Sequence, residues 1–205
     1  MKLTKYAHAA VVLEKDGKNL VIDPGAYTPD SASLVASADA VIFTHDHEDH
    51  IDDAAIDGVD IDIYGPADLI ARLGRGTVLA EGDAVDVAGF SVAVYGTTHA
   101  PIWGDMPGND NIALLVDGAV YHPGDSFVVP GVPVDTLLVP TSGPWFKLGE
   151  AIDFVQAVKP ARAIQIHELM TSDAGQGMFA QMLGEQGFGG VPFQIVAPGT
   201  SITVG

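Results

Sequence analysis

The sequence predicts an α/β fold in which two β-sheets pack face to face and helices cover the outside. Short runs rich in Val, Ile, Leu and Tyr, bounded by Gly, Pro and Asp, recur along the chain and are typical of strands joined by tight turns. Helical patterns are fewer. The two halves of the chain also follow a common plan, which suggests a duplicated supersecondary unit.

The first predicted strands span residues 1–6, 10–14 and 19–23. Asp16-Gly17 forms the predicted hairpin turn between the last two strands, because both positions tolerate a positive φ. A fourth strand is predicted at 39–45, where the apolar run indicates a strand that is buried on both faces.

Three helices are predicted. The first spans 66–74 and begins with Pro66, a favourable residue in a first helical turn. The second spans 149–158, places apolar residues on one face and ends before Lys159-Pro160. The third lies near 175–186.

The internal repeat links two pairs of segments. Asp16-Gly17 precedes an apolar run and then the strand at 39–45, whereas Asp117-Gly118 precedes a similar run and then a predicted strand at 135–141. No linker rich in Pro, Gly or Ser divides the chain, so residues 1–205 are predicted to form one domain.

The composition excludes several kinds of function. With 27 acidic and 9 basic residues, the chain has a formal net charge of −18, which disfavours broad electrostatic binding to nucleic acid or to an anionic membrane surface. The amino terminus has no long apolar stretch, so a cytoplasmic protein is expected. Because cysteine is absent, a metal ion would have to be held by histidine and carboxylate groups.

The segment that carries most chemical information is Thr44-His45-Asp46-His47-Glu48-Asp49-His50, which follows a buried strand. A divalent cation would turn these polar groups into ligands. His45 and His47 can bind one ion, while Asp49 and His50 can face a second ion beside it. The spacing therefore suggests two metal ions.

Three further candidate ligands stand alone in the sequence. His99, Asp125 and His167 each follow an apolar run, and the ends of neighbouring strands commonly form sites. A single histidine at such a position is usually a surface residue, but five of the seven histidines in this chain occupy the candidate positions.

These residues resemble the signature of the metallo-β-lactamase-fold hydrolases. The motif H-x-H-x-D-H is matched by His45, His47, Asp49 and His50, and the later candidates follow in the family's order. The resemblance implies a four-layer αββα sandwich of two mixed sheets. It also implies a first metal ion held by His45, His47 and His99. A second ion would be held by Asp49, His50 and His167, and Asp125 would bridge the two.

Flanking segments are similar to a subgroup of small hydrolases that includes L-ascorbate-6-phosphate lactonase. They include residues 6–10, the Asp23-Pro24 corner and residues 122–126. Two positions depart from the subgroup: Ala7 replaces a usual glycine before His8, and Glu168 replaces a usual aromatic or small residue.

The resemblance implies a metal-dependent hydrolase that uses a dinuclear metal-bound hydroxide on a small-molecule ester, lactone or phosphodiester. Zn²⁺ is the favoured ion, and Mn²⁺ or Fe also suits the ligands. Asp49 is a candidate ligand and base, and His8 is expected to contact the substrate or to support the metal ligands. His122 is expected to be structural or supporting.

Three other hypotheses about function are compatible with the sequence: a phosphodiesterase or nuclease of the same fold, an iron-dependent oxidoreductase at the same site, and a metal-stabilised binding domain without activity. The expected partner is a small-molecule substrate, and a homodimer is plausible by base rate. Residues 101–111, with Trp103 and Met106, form a candidate lid or pocket wall. Trp145 and Phe146 line the same rim or belong to the core.

Overall fold

The structure is a computed structural model that describes residues 1–106 and 108–205. Its strands, in chain order, are β1 Lys2–Lys5, β2 Val11–Lys15, β3 Lys18–Ile22, β4 Ala40–Ile42, β5 Asp62–Gly65, β6 Thr77–Val78, β7 Ala84–Val87, β8 Phe90–Tyr95, β9 Ala113–Val116, β10 Val120–His122, β11 Thr136–Pro140, β12 Arg162–Ile166, β13 Phe193–Gln194 and β14 Thr200–Thr203. Its helices are α1 Ser31–Ser37, α2 Asp53–Ile56, α3 Ala67–Leu73, α4 Leu148–Val158 and α5 Asp173–Leu183.

The strands form two seven-stranded mixed sheets. The first sheet has the order β14-β1-β2-β3-β4-β5-β6, and the second has the order β13-β12-β11-β10-β9-β8-β7. In each sheet an antiparallel hairpin leads into parallel strands: β2 and β3 precede β4, and β9 and β10 precede β11. The repeat seen in the sequence is therefore a repeat of topology.

The main apolar core lies between the sheets. Leu13, Ile22 and Ile42 of the first sheet belong to the same buried cluster as Leu114 and Ile164 of the second. Side chains alternate along a strand, so the other residues of the central strands face outward, where helices pack against them. The predicted αββα sandwich is thus confirmed.

Each outer layer has its own apolar cluster. Val21 and Val41 of the first sheet pack with residues of α1, α2 and α3. Leu137 and Ala163 of the second sheet pack with Phe154 of α4 and with a residue of α5. Within the described ranges, no helix is long and apolar enough to cross a membrane.

Most predicted elements lie within a few residues of their predicted limits. The strand predicted at 39–45 is shorter, because β4 ends at Ile42 and His45 forms only an isolated bridge with Asn111. The strand ends early because Thr44 hydrogen-bonds to a side chain: its backbone N–H and its hydroxyl both donate to the carboxylate of Asp23, each over 2.7 Å. This contact draws Thr44 out of the ladder.

The strand ends that follow the buried runs meet at one edge of the sandwich. The parallel strands β11 and β12 are paired from Thr136 and Arg162 to Pro140 and Ile166, so the segments after both strands emerge on the same side. The segment after β4 reaches the same place, since Ile112 donates its N–H to the carbonyl of Thr44 over 2.9 Å. The candidate ligands follow these strand ends.

Candidate metal centre

Asp23 organises the loop that carries the histidine motif. It is fully buried at the end of β3, and besides the two bonds from Thr44 it accepts a hydrogen bond from Nδ1 of His50 over 2.7 Å. Three groups of the 44–50 segment therefore depend on one carboxylate. In the sequence, Asp23 stands out only as part of the Asp23-Pro24 corner, although it ends an apolar run just as Asp125 does.

The hydrogen bonds fix which ring nitrogen of three histidines carries the proton. Nδ1 of His99 lies 2.6 Å from the carbonyl oxygen of Ala100, and Nδ1 of His50 contacts Asp23; both oxygens can only accept. Nδ1 of His45 lies 3.0 Å from the hydroxyl oxygen of Thr44, which already donates to Asp23. On all three rings Nε2 can therefore offer its lone pair to a cation, as in metal-binding histidines. Nε2 of His45 lies 3.1 Å from Nδ1 of His47.

The candidate ligands form two adjacent groups. In each group four side chains offer donor atoms that all lie within 4.8 Å of one another. The first group is His45, His47, His99 and Asp125, and the second is His8, Asp49, His50 and His167. Every residue that the sequence analysis proposed as a ligand belongs to one of them, and His8 joins the second.

Several of these donor atoms have no hydrogen-bond partner among the described residues, although they are buried. They are Nε2 of His50, His99 and His167 and Oδ1 of Asp125. A buried polar atom without a partner costs free energy, so such a convergence needs an explanation. Imidazole nitrogen and carboxylate oxygen are ligands of Zn²⁺, Mn²⁺ and Fe, and a divalent cation would satisfy these atoms. The residues fit the metals that the sequence implied.

Asp125 lies between the two groups. Its Oδ1 is 3.1 Å from Nε2 of His50, and its Oδ2 is 3.3 Å from Nε2 of His99 and 3.2 Å from Nε2 of His167. The two oxygens of this carboxylate therefore face histidines of both groups. This is the position that a bridging ligand needs.

The electrostatics of the centre balance carboxylates against histidines. Burial opposes the charged form of His167, but the neighbouring carboxylates of Asp125 and Asp49 raise its pKa to about 9. Burial likewise opposes ionisation of Asp125, but the neighbouring His50 and His167 hold the pKa of this carboxyl well below its usual range. Protons on these histidines occupy the place that cations would take, so cation binding would release them.

His45 shows the opposite behaviour. Burial and the nearby His50 lower the pKa of His45 well below its usual value. For His50 itself, burial is outweighed by Asp125 and Asp23, which raise its pKa well above the usual value. A neutral His45 has a free lone pair, as a metal ligand requires.

His8 and His167 are held together through the backbone. The N–H of His167 donates to the carbonyl of His8 over 3.0 Å, and both residues have a positive φ, of 57° and 60° respectively. Such a conformation is uncommon for histidine and is often found at functional sites. Nε2 of His8 lies 3.0 Å from Oδ2 of Asp49, which is also 3.2 Å from Nε2 of His167.

A buried ion pair supports these two histidines from behind. Nζ of Lys5 in β1 contacts Oε1 of Glu168, and the same oxygen accepts a hydrogen bond from the backbone N–H of His8 over 3.2 Å. Lys5 was missed by the sequence analysis; the available signal was a lysine inside a strand next to the candidate residue His8. Glu168, which departs from the subgroup pattern, is one half of this pair.

Trp145 contacts the bridging position directly. Its indole N–H donates to Oδ2 of Asp125 over 2.7 Å, and the residue is only 6% exposed. The side-chain oxygen of Asn111 accepts a hydrogen bond from the backbone N–H of Asp125 over 2.9 Å. Trp145 and Asn111, which belong to neither donor group, therefore fix the position of the Asp125 carboxylate.

A cavity of about 230 Å³ opens above the centre. Five candidate ligands line it together with apolar residues, whereas His8 does not line it. The ligands are His47, Asp49, His99, Asp125 and His167, and the apolar residues are Tyr27, Ile102, Pro144, Trp145 and Met170. A larger cavity of about 460 Å³ between α2 and α3 contains none of the candidate ligands.

The remaining predicted residues have clear places. His122 hydrogen-bonds to backbone: its Nε2 lies 3.0 Å from the carbonyl of Ala9, and its Nδ1 accepts from the N–H of Gly124 over 3.1 Å. Its Nε2 also lies 3.8 Å from Oδ2 of Asp23, and His122 belongs to neither donor group, in keeping with a structural or supporting role. Trp103 is 81% exposed, whereas Met106 lines a recess beside His47. Trp145 lines the cavity and Phe146 packs against the outer core. Pro107 of the candidate lid lies outside the described residues.

The sequence matches a known family over most of its length. Residues 2–167 match the model of a family described as a Beta-lactamase superfamily domain. The chain is 31% identical over 214 residues to Protein Rv0786c of Mycobacterium tuberculosis, covering 99% of this chain and 100% of that protein. It is 28% identical over 203 residues to a UPF0173 metal-dependent hydrolase of Carboxydothermus hydrogenoformans, covering 86% and 90% of the two chains.

A solved structure shares the architecture. Igni18, a metallo hydrolase from the archaeon Ignicoccus hospitalis, superimposes with a TM-score of 0.75 and covers 98% of this chain and 97% of its own. The two sequences are 22% identical, a level at which the likeness shows the fold alone.

Proposed function

The chain belongs to the beta-lactamase superfamily, and on that premise we propose that it is a metal-dependent hydrolase whose two donor groups hold two divalent cations. The metallo-β-lactamase fold that the resemblance implied is confirmed. The narrower resemblance to the lactonase subgroup stays a prediction. The proposed substrate is a small molecule with an ester, lactone or phosphodiester bond.

One observation carries the proposal. Two groups of four donors meet at Asp125, and buried nitrogen and oxygen atoms of both groups lack other partners within the described part of the chain. When bound there, divalent cations would act as Lewis acids that polarise the scissile bond and activate water at neutral pH. The chain has no G-x-S-x-G motif for an alternative serine nucleophile.

Asp49 is the proposed catalytic residue because its side chain both joins the second donor group and lines the cavity. Burial opposes its ionisation, but the neighbouring His167 and His8 lower the pKa of the Asp49 carboxyl. Asp49 is therefore ionised at neutral pH, and its carboxylate can orient an attacking water molecule by accepting a hydrogen bond.

His8 is the proposed positioning residue for Asp49. It is fully buried and does not line the cavity, but its Nε2 contacts Oδ2 of Asp49. This placement favours the supporting role over the substrate contact, which were the two roles expected for His8. A histidine that orients a carboxylate ligand contributes to metal affinity and to the geometry of the reaction.

The first test is the metal content of the purified chain, measured by elemental analysis without added metal or chelator. We expect about two metal ions per chain in the wild type and fewer in Asp125→Ala, because the bridging carboxylate serves both groups. Asp46→Asn is the matched control: Asp46 stands between His45 and His47 but pairs with Arg72 over 2.6 Å and belongs to neither group. This variant should keep the wild-type content.

The identity of the metal also distinguishes a hydrolase from an oxidoreductase. Zinc or manganese supports hydrolysis, whereas redox-active iron would favour an oxidoreductase at the same ligands. A folded wild-type chain that contains no metal and cannot be loaded would contradict the proposal.

The second test concerns Asp49. In metal-loaded protein that hydrolyses a member of an ester, lactone and phosphodiester panel, Asp49→Asn should reduce kcat more strongly than it reduces metal occupancy. The amide can still contribute an oxygen but cannot accept a proton as the carboxylate does. Equal losses of kcat and of metal would show that Asp49 acts only as a ligand.

A further inference from the structure

The cavity above the donor groups differs from the rest of the surface in its side chains. Besides the candidate ligands, its wall consists of Tyr27, Ile102, Pro144, Trp145 and Met170, with Glu48 as the only additional charged residue among those described. Its volume of about 230 Å³ lies just below the roughly 300–1,000 Å³ typical of sites for drug-sized ligands. The space suits a small organic group.

We infer that the part of the substrate remote from the scissile bond is apolar and uncharged, and that it binds against this wall. The inference rests on the proposed function, because the donor groups are taken to hold the reacting bond at the cavity floor. It favours esters and lactones with an alkyl or aryl group over substrates that carry a second anionic group, such as a remote phosphate or carboxylate.

The positions of the lysine and arginine side chains support the inference. A remote phosphate or carboxylate would need a lysine, an arginine or a similar donor nearby. None of the residues described as lining the cavity is lysine or arginine. Of the nine Lys and Arg residues in the chain, all except Lys159 contact a carboxylate or a backbone carbonyl of the described residues.

The two basic residues that need most attention are Lys147 and Lys159. Lys147 follows Trp145 by two positions, but its Nζ lies 3.3 Å from Glu150 and it does not line the cavity. Lys159 follows α4 just before the start of β12, whereas His167 follows the end of β12. Lys159 therefore lies at the opposite edge of the sheet.

The rim continues the apolar surface. Met170 is 48% exposed at the cavity, and Met106 is 54% exposed in a recess of about 40 Å³ that shares Ile102 with the cavity. The neighbouring Trp103 is 81% exposed. Large apolar side chains that remain exposed beside a cavity commonly mark a binding surface. A net charge of −18 further opposes a remote anion.

The test compares three carboxylates that bind a metal centre through the same group. Acetate has no tail, hexanoate has an alkyl tail, and adipate has the same chain length with a second carboxylate at the remote end. Isothermal titration calorimetry on metal-loaded protein should give hexanoate a Kd at least about tenfold lower than that of acetate, because each buried methylene contributes about 0.8 kcal/mol. Adipate should bind no more tightly than acetate.

A pair of methionine variants makes the comparison specific to the cavity. Met170→Lys places a cation in the wall and should shift the ratio of the two Kd values toward adipate by about tenfold. Met178→Lys is the matched control, since Met178 is 44% exposed and does not line the cavity. This control should keep the wild-type preference for hexanoate, and circular dichroism checks that both variants are folded.

The outcomes separate the inference from the proposed function. Adipate binding equal to or tighter than hexanoate binding, or hexanoate binding no tighter than acetate binding, would overturn the inference while leaving a loaded metal centre in place. A shift in Met178→Lys as large as that in Met170→Lys would also overturn it. A chain that cannot be loaded with metal would instead contradict the proposed function.

Discussion

Lys5 and Glu168 form an ion pair behind the metal centre, and only 2% and 9% of their side-chain surfaces are exposed. The pair joins β1 to the segment after β12, and Glu168 also accepts the backbone N–H of His8. Charged side chains of this kind are rarely buried unless they are paired. The ion pair therefore connects two distant parts of the chain beside the point where His8 and His167 contact Asp49.

Removal of Lys5 alone should destabilise the protein. Lys5→Met leaves the Glu168 carboxylate buried without its cation, so we expect the free energy of unfolding to fall by about 3–5 kcal/mol. Urea unfolding of the metal-free protein measures this change. The double variant Lys5→Met/Glu168→Gln removes both charges and should recover more than half of the loss.

The pair between Lys15 and Asp117 provides a control, because these side chains are 29% and 20% exposed. Lys15→Met should cost no more than about 1 kcal/mol. A loss in Lys5→Met as small as this one would show that the buried pair has no special structural role.

Asp23 should matter for metal affinity although it lies outside both donor groups. In Asp23→Asn, the amide N–H₂ group would oppose the backbone N–H of Thr44 in one orientation, and both the hydroxyl of Thr44 and Nδ1 of His50 in the other, because all three groups donate to the carboxylate. We expect metal affinity to fall by about 10–100-fold, as measured by competition with a chromophoric chelator. Asp39→Asn is the control, because Asp39 precedes β4 at its other end and pairs with Lys18; unchanged affinity in Asp23→Asn would contradict the assigned role.

Trp145 should report metal binding by its fluorescence. The chain has two tryptophans, of which Trp145 donates to Asp125 and Trp103 is 81% exposed. In Trp103→Phe the emission should change when metal is added, because a cation on Asp125 alters the field at the indole. In Trp145→Phe the remaining emission should not respond, and metal affinity should fall about tenfold with the lost hydrogen bond. The reverse pattern would place the metal away from Asp125.

Gly25 should tolerate no side chain. A Cβ at this position would lie 2.0 Å from the carbonyl oxygen of Asp49 and 2.5 Å from the backbone nitrogen of His50. Gly25→Ala must therefore displace the metal-binding loop, and we expect a loss of about 1–3 kcal/mol in stability together with weaker metal binding. Thermal unfolding and chelator competition measure the two effects.

Gly149→Ala in α4 is the matched control, since among the described residues no atom beyond its chain neighbours and the backbone of its own helix lies within 4 Å of a Cβ there. Alanine is favoured over glycine within a helix by about 1 kcal/mol, so this variant should be neutral or slightly stabilised. A neutral Gly25→Ala would show that the loop can move without loss of the centre.

The sequence by itself determined the αββα class, the repeated hairpin-to-parallel plan and the identity of the candidate ligands. It could do so because strand patterns are local and because His45, His47, Asp49 and His50 are neighbours in the chain. The sequence also indicated His99, Asp125 and His167, since each follows an apolar run, and the fold brings these side chains into the two donor groups. The early end of β4 could not be read in this way, because it depends on a contact between Thr44 and Asp23, 21 positions apart.

Only the tertiary structure decided which residues support the ligands. The bond from Trp145 to Asp125, the pair of Lys5 with Glu168 and the contact of His8 with Asp49 join residues that are 20, 163 and 41 positions apart. No local periodicity encodes such pairs, because they arise when separate strand ends are brought to one edge and their polar groups must be satisfied away from water. The apolar cavity wall has the same origin, since its residues come from four separate loops and become one surface only in the folded chain.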